Sequence, residues 1–134
     1  MNAPMDTPIH IPIGATGAAE MIVTSSDTAI AMRSGDVPVL STPRVLALME
    51  EATCEALRGY LPDSHTSVGA SVSISHRKPT PVDARAMARA EVMDVDGATV
   101  VFAVSLDHRD ASGESSTEVA GGTITRVVVT RDRF

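Results

Sequence analysis

The chain has 134 residues, 43% of them hydrophobic, which is enough for one ordinary domain with a core and too few for two. A net charge of −6 with Lys78 as the lone lysine lacks the basic footprint that nucleic-acid binders use to displace counterions. The single cysteine, Cys54, excludes an internal disulfide, and no Cys/His spacing suits a metal, so a metal-free cytoplasmic protein is expected.

Residues 1–13 carry three prolines without the basic end and unbroken apolar run of a signal peptide or membrane span, and read as a loose arm on a single domain of residues 1–134. A strand is expected from about Ala19 to Met32, ended by the Gly and Pro of Arg33–Pro38. The one convincing helix follows. Thr42 reads as its N-cap, Pro43 as its first residue, and Gly59 with Pro62 as its stop, giving Pro43–Tyr60. Strands are expected over Thr66–His76, Asp83–Val95, Ala98–Asp107 and Thr117–Arg131, with Asp96-Gly97 as a tight hairpin turn and His108–Ser116 as a longer polar loop. The order is strand, helix, four strands. Such a sheet must bury one face, and a single apolar helix is the available cover.

On that helix Ala47, Glu51, Glu55 and Arg58 form a solvated stripe, while Leu46, Met49, Glu50, Thr53, Cys54, Leu57 and Leu61 fall on or beside an apolar one. Glu50 is the misfit. The residues leave two readings open: an edge carboxylate reaching water, or an acid/base or nucleophilic group tuned by its surroundings. In Ser67–His76 the serines at 71, 73 and 75 alternate with Ala70, Val72, Ile74 and His76, so His76 shares the apolar face at the end of its strand. A structural histidine and a catalytic one both fit that position. His10, His65 and His108 read as surface residues. No GxSxG elbow is present, and Gly121-Gly122 lies within a strand pattern, where it marks a bulge or a close backbone approach rather than a phosphate loop.

Thr42 and Glu50 eight residues apart on one helix, then Val68-Gly69, then Ser75-His76 before a Thr-Pro step, resemble the fluoroacetyl-CoA thioesterase type of the hotdog-fold superfamily. The likeness runs from about Ile13 to Val129. It implies an α+β hotdog fold, one long central helix wrapped by a curved antiparallel sheet of about five strands. It also implies a homodimer, with further pairing into tetramers left open, acyl-CoA sites at the subunit interface, no cofactor beyond the coenzyme A of the substrate, and no membrane partner.

The implied activity is hydrolysis of a small or medium acyl-CoA, with Thr42, Glu50 and His76 as the catalytic set and Gly69 close to the thioester. Arg77 and Lys78, directly after His76, are the nearest cations for the CoA phosphates, with Arg126, Arg131 and Arg133 as alternatives. A non-catalytic acyl-thioester-binding protein and a hotdog hydratase are the competing readings; the hydratase-type Asp-x4-His helix motif is absent. Three departures stand out. Glu51 replaces an aromatic after the helix glutamate, the family's late Gly-Thr-His-x-Arg stretch appears as Gly122-Thr-Ile-Thr-Arg126, and Asp36–Leu40 lacks the phenylalanines that would gate a small fluorinated acyl group, so fluoroacetyl selectivity is not carried over.

Overall fold

The computed structural model describes residues 9–110, 112, 113 and 115–133. Strand β1 is Thr16–Ile22, α1 is Ala29–Met32, α2 is Thr42–Leu57, β2 is His65–His76, β3 is Arg85–Asp96, β4 is Thr99–Arg109 and β5 is Ser116–Thr130. The strands form one curved antiparallel sheet in the order β1-β3-β4-β5-β2. The long helix α2 lies across its inner face, packed chiefly on β1 and β3.

The expected first strand is shorter and earlier than its composition suggested. Asp27 Oδ2 accepts from both the N–H and the hydroxyl of Thr24 at 2.8 Å, opening a 3-10 turn at Ser25–Asp27, and Thr28 Oγ1 then accepts the Ala31 N–H to start α1. Ser, Thr and Asp side chains thus draw the backbone out of the ladder after Ile22. The helix boundaries shift as well. Ser41, not Thr42, is the N-cap of α2, its hydroxyl accepting the Arg44 N–H, and the helix ends at Leu57, with Arg58 extended and Gly59 at φ 88°. The hairpin at Asp96-Gly97 forms as expected, Gly97 taking φ 62° between paired Asp96 and Thr99.

The helix buries Val45, Leu48, Met49, Ala52, Thr53, Ala56 and Leu57. Its solvated stripe is as expected, except that Glu55 is half-buried; Cys54, placed on the apolar stripe by spacing, is exposed. Facing the helix, β3 and the residue before it supply Ala84, Ala86, Ala88, Ala90 and Val92, and β4 supplies Val100, Phe102, Val104 and Leu106, all buried. Each large side chain so buried contributes about 1.5–3 kcal/mol. Gly17 on β1 meets the helix backbone itself: a β-carbon there would collide with Ala56 N and Ala52 O. Of the expected loose arm, residues 1–8 lie outside the described residues, whereas Ile11 is buried in the core with Ile9 packed against it.

Strand β2 is an edge of the sheet. Its outer edge is unpaired among the described residues, and Val68 and Val72 on it are exposed. A register shift at Gly69/Ser71 interrupts its pairing with β5, so Ala70 falls outside the ladder and the strand bends there.

Candidate active site

Two groups of polar side chains stand out in the space between α2 and β2. The first joins Thr42, in the first turn of α2, to His76, at the end of β2. Thr42 Oγ1 and His76 Nδ1 share a hydrogen bond of 2.8 Å. Because Ser41 caps the helix, the Thr42 hydroxyl is free for this contact. His76 Nε2 is buried and has no partner among the described residues. Burial pushes the His76 pKa below its ordinary 6.5, and the nearby backbone of Lys78 offsets this only in part. The ring is therefore neutral at pH 7, with one nitrogen oriented by Thr42 and the other available.

The second group is built around Glu50. Its side chain is 36% exposed, at the flank of the buried face rather than within it, and Oε2 lies 3.5 Å from Arg126 Nη1. Arg126 is itself 7% exposed. Its Nε donates to Ser67 Oγ at 2.8 Å and its Nη2 to the Ser67 carbonyl at 3.0 Å, which fixes the guanidinium plane with Nη1 turned to the carboxylate. Gly69 pairs with Arg126 across the ladder. A β-carbon on Gly69 would stand 2.6 Å from Glu50 Oε2 and 3.7 Å from Arg126 Nη1. Glycine therefore keeps a gap open between carboxylate, guanidinium and strand backbone.

These groups do not meet within one chain. Eight residues of helix put about 12 Å between Thr42 and Glu50 along the axis, and seven residues of β2 put on the order of 20 Å between Gly69 and His76.

The remaining sites expected from sequence are dispersed. Arg77 Nη2 donates to Glu118 Oε2 at 2.8 Å in an exposed ion pair, and Lys78 is exposed. His108, read as a loop residue, lies in β4 and shares a 2.7 Å hydrogen bond with buried Thr80; His65 opens β2 and bonds Ser64. Gly121-Gly122 is a close backbone approach, since a β-carbon on Gly122 would collide with the Ser73 carbonyl oxygen. No group of three or more metal-ligating side chains occurs among the described residues.

A sequence profile of the fluoroacetyl-CoA-specific thioesterase family (FlK) matches residues 23–132. The chain belongs to that family. Membership makes it a thioester hydrolase acting on acyl-CoA, and the fold is the hotdog of its structural neighbours. A variant of the fluoroacetyl-CoA-specific thioesterase FlK, in complex with fluoroacetate and CoA, is 23% identical with a TM-score of 0.79, covering 92% of this chain and 98% of that one. A thioesterase superfamily member from Thermus thermophilus is 20% identical with a TM-score of 0.80, covering 92% and 88%. A hot-dog-like protein from Thermanaerovibrio acidaminovorans is 27% identical with a TM-score of 0.79, covering 92% and 87%. No curated protein matches the sequence.

In this member of the fluoroacetyl-CoA-specific thioesterase family, the residue that sequence reasoning underrated is Arg126. Its sequence position offers it as an alternative phosphate partner and as the arginine that ends Gly122-Thr-Ile-Thr-Arg126. The strand parity that put His76 on the inner face also puts Arg126 beside Ile124, two residues before it and fully buried, so the signal was present in Ile124-Thr-Arg126.

Proposed function

We propose that this thioesterase works as a homodimer in which Glu50 and Arg126 of one subunit meet Thr42 and His76 of the other, and that it hydrolyses a small or medium aliphatic acyl-CoA. The observation that carries this reading is the separation of the two groups within one chain together with the unpaired β2 edge. Antiparallel pairing of β2 with its own copy about Val72 sets Gly69 opposite Ser75 of the other subunit, one residue from its His76. Neighbouring strands lie about 4.8 Å apart. The carboxylate beside Gly69 and the imidazole of the second copy then flank one thioester. The same pairing covers Val68 and Val72 and removes an open edge.

The chemistry consumes water and releases a carboxylic acid and the free thiol of CoA. Glu50 serves either by attacking the acyl carbon, forming an anhydride as the C–S bond breaks, or by taking a proton from the attacking water. The first route places Oε2 at the acyl carbon and is completed when water hydrolyses the anhydride; the second places a water between Oε2 and that carbon. Neutral His76 then moves a proton between water and the departing thiolate, Thr42 holds its ring, and Arg126 Nη1 with the backbone at Gly69 faces the developing oxyanion. No cofactor or metal is needed for these steps. A lone, exposed Cys54 fits a reducing cytoplasm, and none of the described helices is long and apolar enough to cross a membrane.

The test is thiol release from a panel of short and medium acyl-CoAs by the native protein, Glu50→Gln, His76→Ala and a heterodimer of the two variants isolated by two affinity tags. Each variant alone is expected to lose more than about a hundredfold in kcat. The heterodimer carries one intact site and regains about half the native rate per dimer. Active single variants would discard the catalytic assignment, and an inactive heterodimer would discard the shared site.

A further inference from the structure

The first turn of α2 runs against helix electrostatics. The N-terminal end of a helix is its positive end and favours acids, yet α2 has no acidic residue in its first turn and carries Arg44 there. The compensating charge comes from outside the helix. Arg44 Nε donates to Asp27 Oδ1 at 3.3 Å, with both side chains largely withdrawn from solvent.

Asp27 is the hub of a wider set of bonds. Its other oxygen, Oδ2, accepts from the N–H and the hydroxyl of Thr24, and its main-chain carbonyl accepts the Ser41 N–H at 3.0 Å. Burial alone would raise the Asp27 pKa; the bonds from Thr24 and the Arg44 guanidinium outweigh it and hold the carboxyl below its ordinary 3.8, so it is charged at neutral pH. Ser41 is gripped on a second side, its hydroxyl donating to Met32 Sδ at 2.9 Å while accepting the Arg44 N–H at 3.2 Å.

Thr42 stands between these two anchored residues. Its side chain has one described hydrogen bond, to His76. Because α2 packs chiefly on β1 and β3, little else registers its first turn against the end of β2. The place of the Thr42 hydroxyl is therefore inherited from Ser41 and Arg44, and both of these are tied to Asp27.

We infer that Asp27 is a positioning residue for the reaction: holding Ser41 through its carbonyl and Arg44 through its carboxylate, it sets the Thr42 hydroxyl on His76 Nδ1. The inference rests on the thioesterase reading and extends it to a residue outside the site. An ion pair that only stabilises the fold would lower stability in every background. One that positions Thr42 acts on the rate through Thr42 and loses that effect once the hydroxyl is gone.

Asp27→Ala, Thr42→Val and the double variant are compared for acyl-CoA hydrolysis and, by NMR, for the nitrogen chemical shift of His76 Nδ1. Asp27→Ala is expected to lower kcat about tenfold with KM within about twofold of native, and to move the Nδ1 resonance toward its position in Thr42→Val. In the Thr42→Val background the same substitution is expected to change kcat by less than about twofold, because the contact it supports is already absent. Arg44→Met keeps the side-chain stem and the Thr24 bonds of Asp27, and is run in the same two backgrounds so that the comparison stands even where Asp27→Ala fails to fold. An equal loss of kcat in both backgrounds, native kcat in the Asp27 and Arg44 variants, or an unmoved Nδ1 resonance would overturn the inference. A native protein that hydrolyses no acyl-CoA would overturn the thioesterase reading instead, and the Nδ1 resonance would still decide whether Asp27 positions Thr42.

Discussion

Thr42 Oγ1 lies 2.8 Å from His76 Nδ1 because the residue before it, Ser41, takes the capping role. The two neighbouring hydroxyls therefore have separable effects. Ser41→Ala removes the acceptor for the Arg44 N–H and is expected to cost about 1–2 kcal/mol of stability. Thr42→Val keeps the shape but frees the imidazole, and is expected to lower kcat by about 10–100-fold with stability within about 0.5 kcal/mol of native. Urea unfolding and steady-state kinetics on both variants separate the two.

Ser67 is the sole described acceptor for two of the three nitrogens of the buried Arg126 guanidinium. Ser67→Val leaves Nε without its hydroxyl partner and is expected to cost about 1–3 kcal/mol. The guanidinium then loses its orientation toward Glu50, so kcat falls while KM changes little. Ser67→Thr has the same outline as the valine variant and restores the hydroxyl. Recovery of kcat in the threonine variant alone marks Ser67 as a positioning residue; equal activity of the two variants would reduce it to packing.

Two glycines that both lack room for a methyl group predict opposite outcomes. At Gly69 the obstacle is Glu50 Oε2, 2.6 Å from an added β-carbon, the end of a side chain that can swing away. Gly69→Ala is expected to fold with at most about 1 kcal/mol lost and to be nearly inactive. At Gly17 the obstacle is the backbone of Ala52 and Ala56, and Gly17→Ala is expected to lose more than about 3 kcal/mol through overpacking. Thermal melts beside kcat values show whether stability and activity part company in this way.

Much of this was legible in advance. The long helix, the last four strands and the misfits Glu50 and His76 follow from periodicity, because side chains alternate or recur by turn whatever the tertiary context, and the Gly97 turn follows from glycine's tolerance of positive φ. Local polar chemistry was harder to read. Ser41, Thr42 and Pro43 offer two acceptable caps, and the choice depends on His76 at a distance of 34 residues in the chain. Thr24–Thr28 falls inside the strand expected over Ala19–Met32, and its side chains cap two short turns instead. Ion pairs between distant strands, such as Arg77 with Glu118, leave no trace in spacing.

The state of His76 gives a pH prediction with a definite sign. Burial holds its pKa below 6.5 in the folded chain, so between the folded and unfolded values the unfolded chain binds more protons. Stability is thus level above 6.5 with respect to this group, falls as pH drops through the window below, and levels again once the folded ring takes its proton. His76→Gln is expected to lose less stability than the native protein between about pH 7 and pH 5, measured by urea midpoints. Activity that needs the neutral ring persists below pH 6.5, and an acid limb of kcat/KM above that value would contradict the assignment.

The part of the floor beneath the helix that β1 and the start of β3 supply is Gly17 and the methyl groups of Ala84, Ala86, Ala88 and Ala90. Alanine has no rotamers to rearrange, and glycine brings main chain against main chain. Leu and Phe can be exchanged for one another in a deep core with local repacking, but nothing here can yield without moving the helix that carries Thr42 and Glu50. In the proposed site, variation in substrate is then left to the other wall, on the side of β2 and the segment before Ser41. One side of the molecule keeps the reaction constant, and the other is free to diverge.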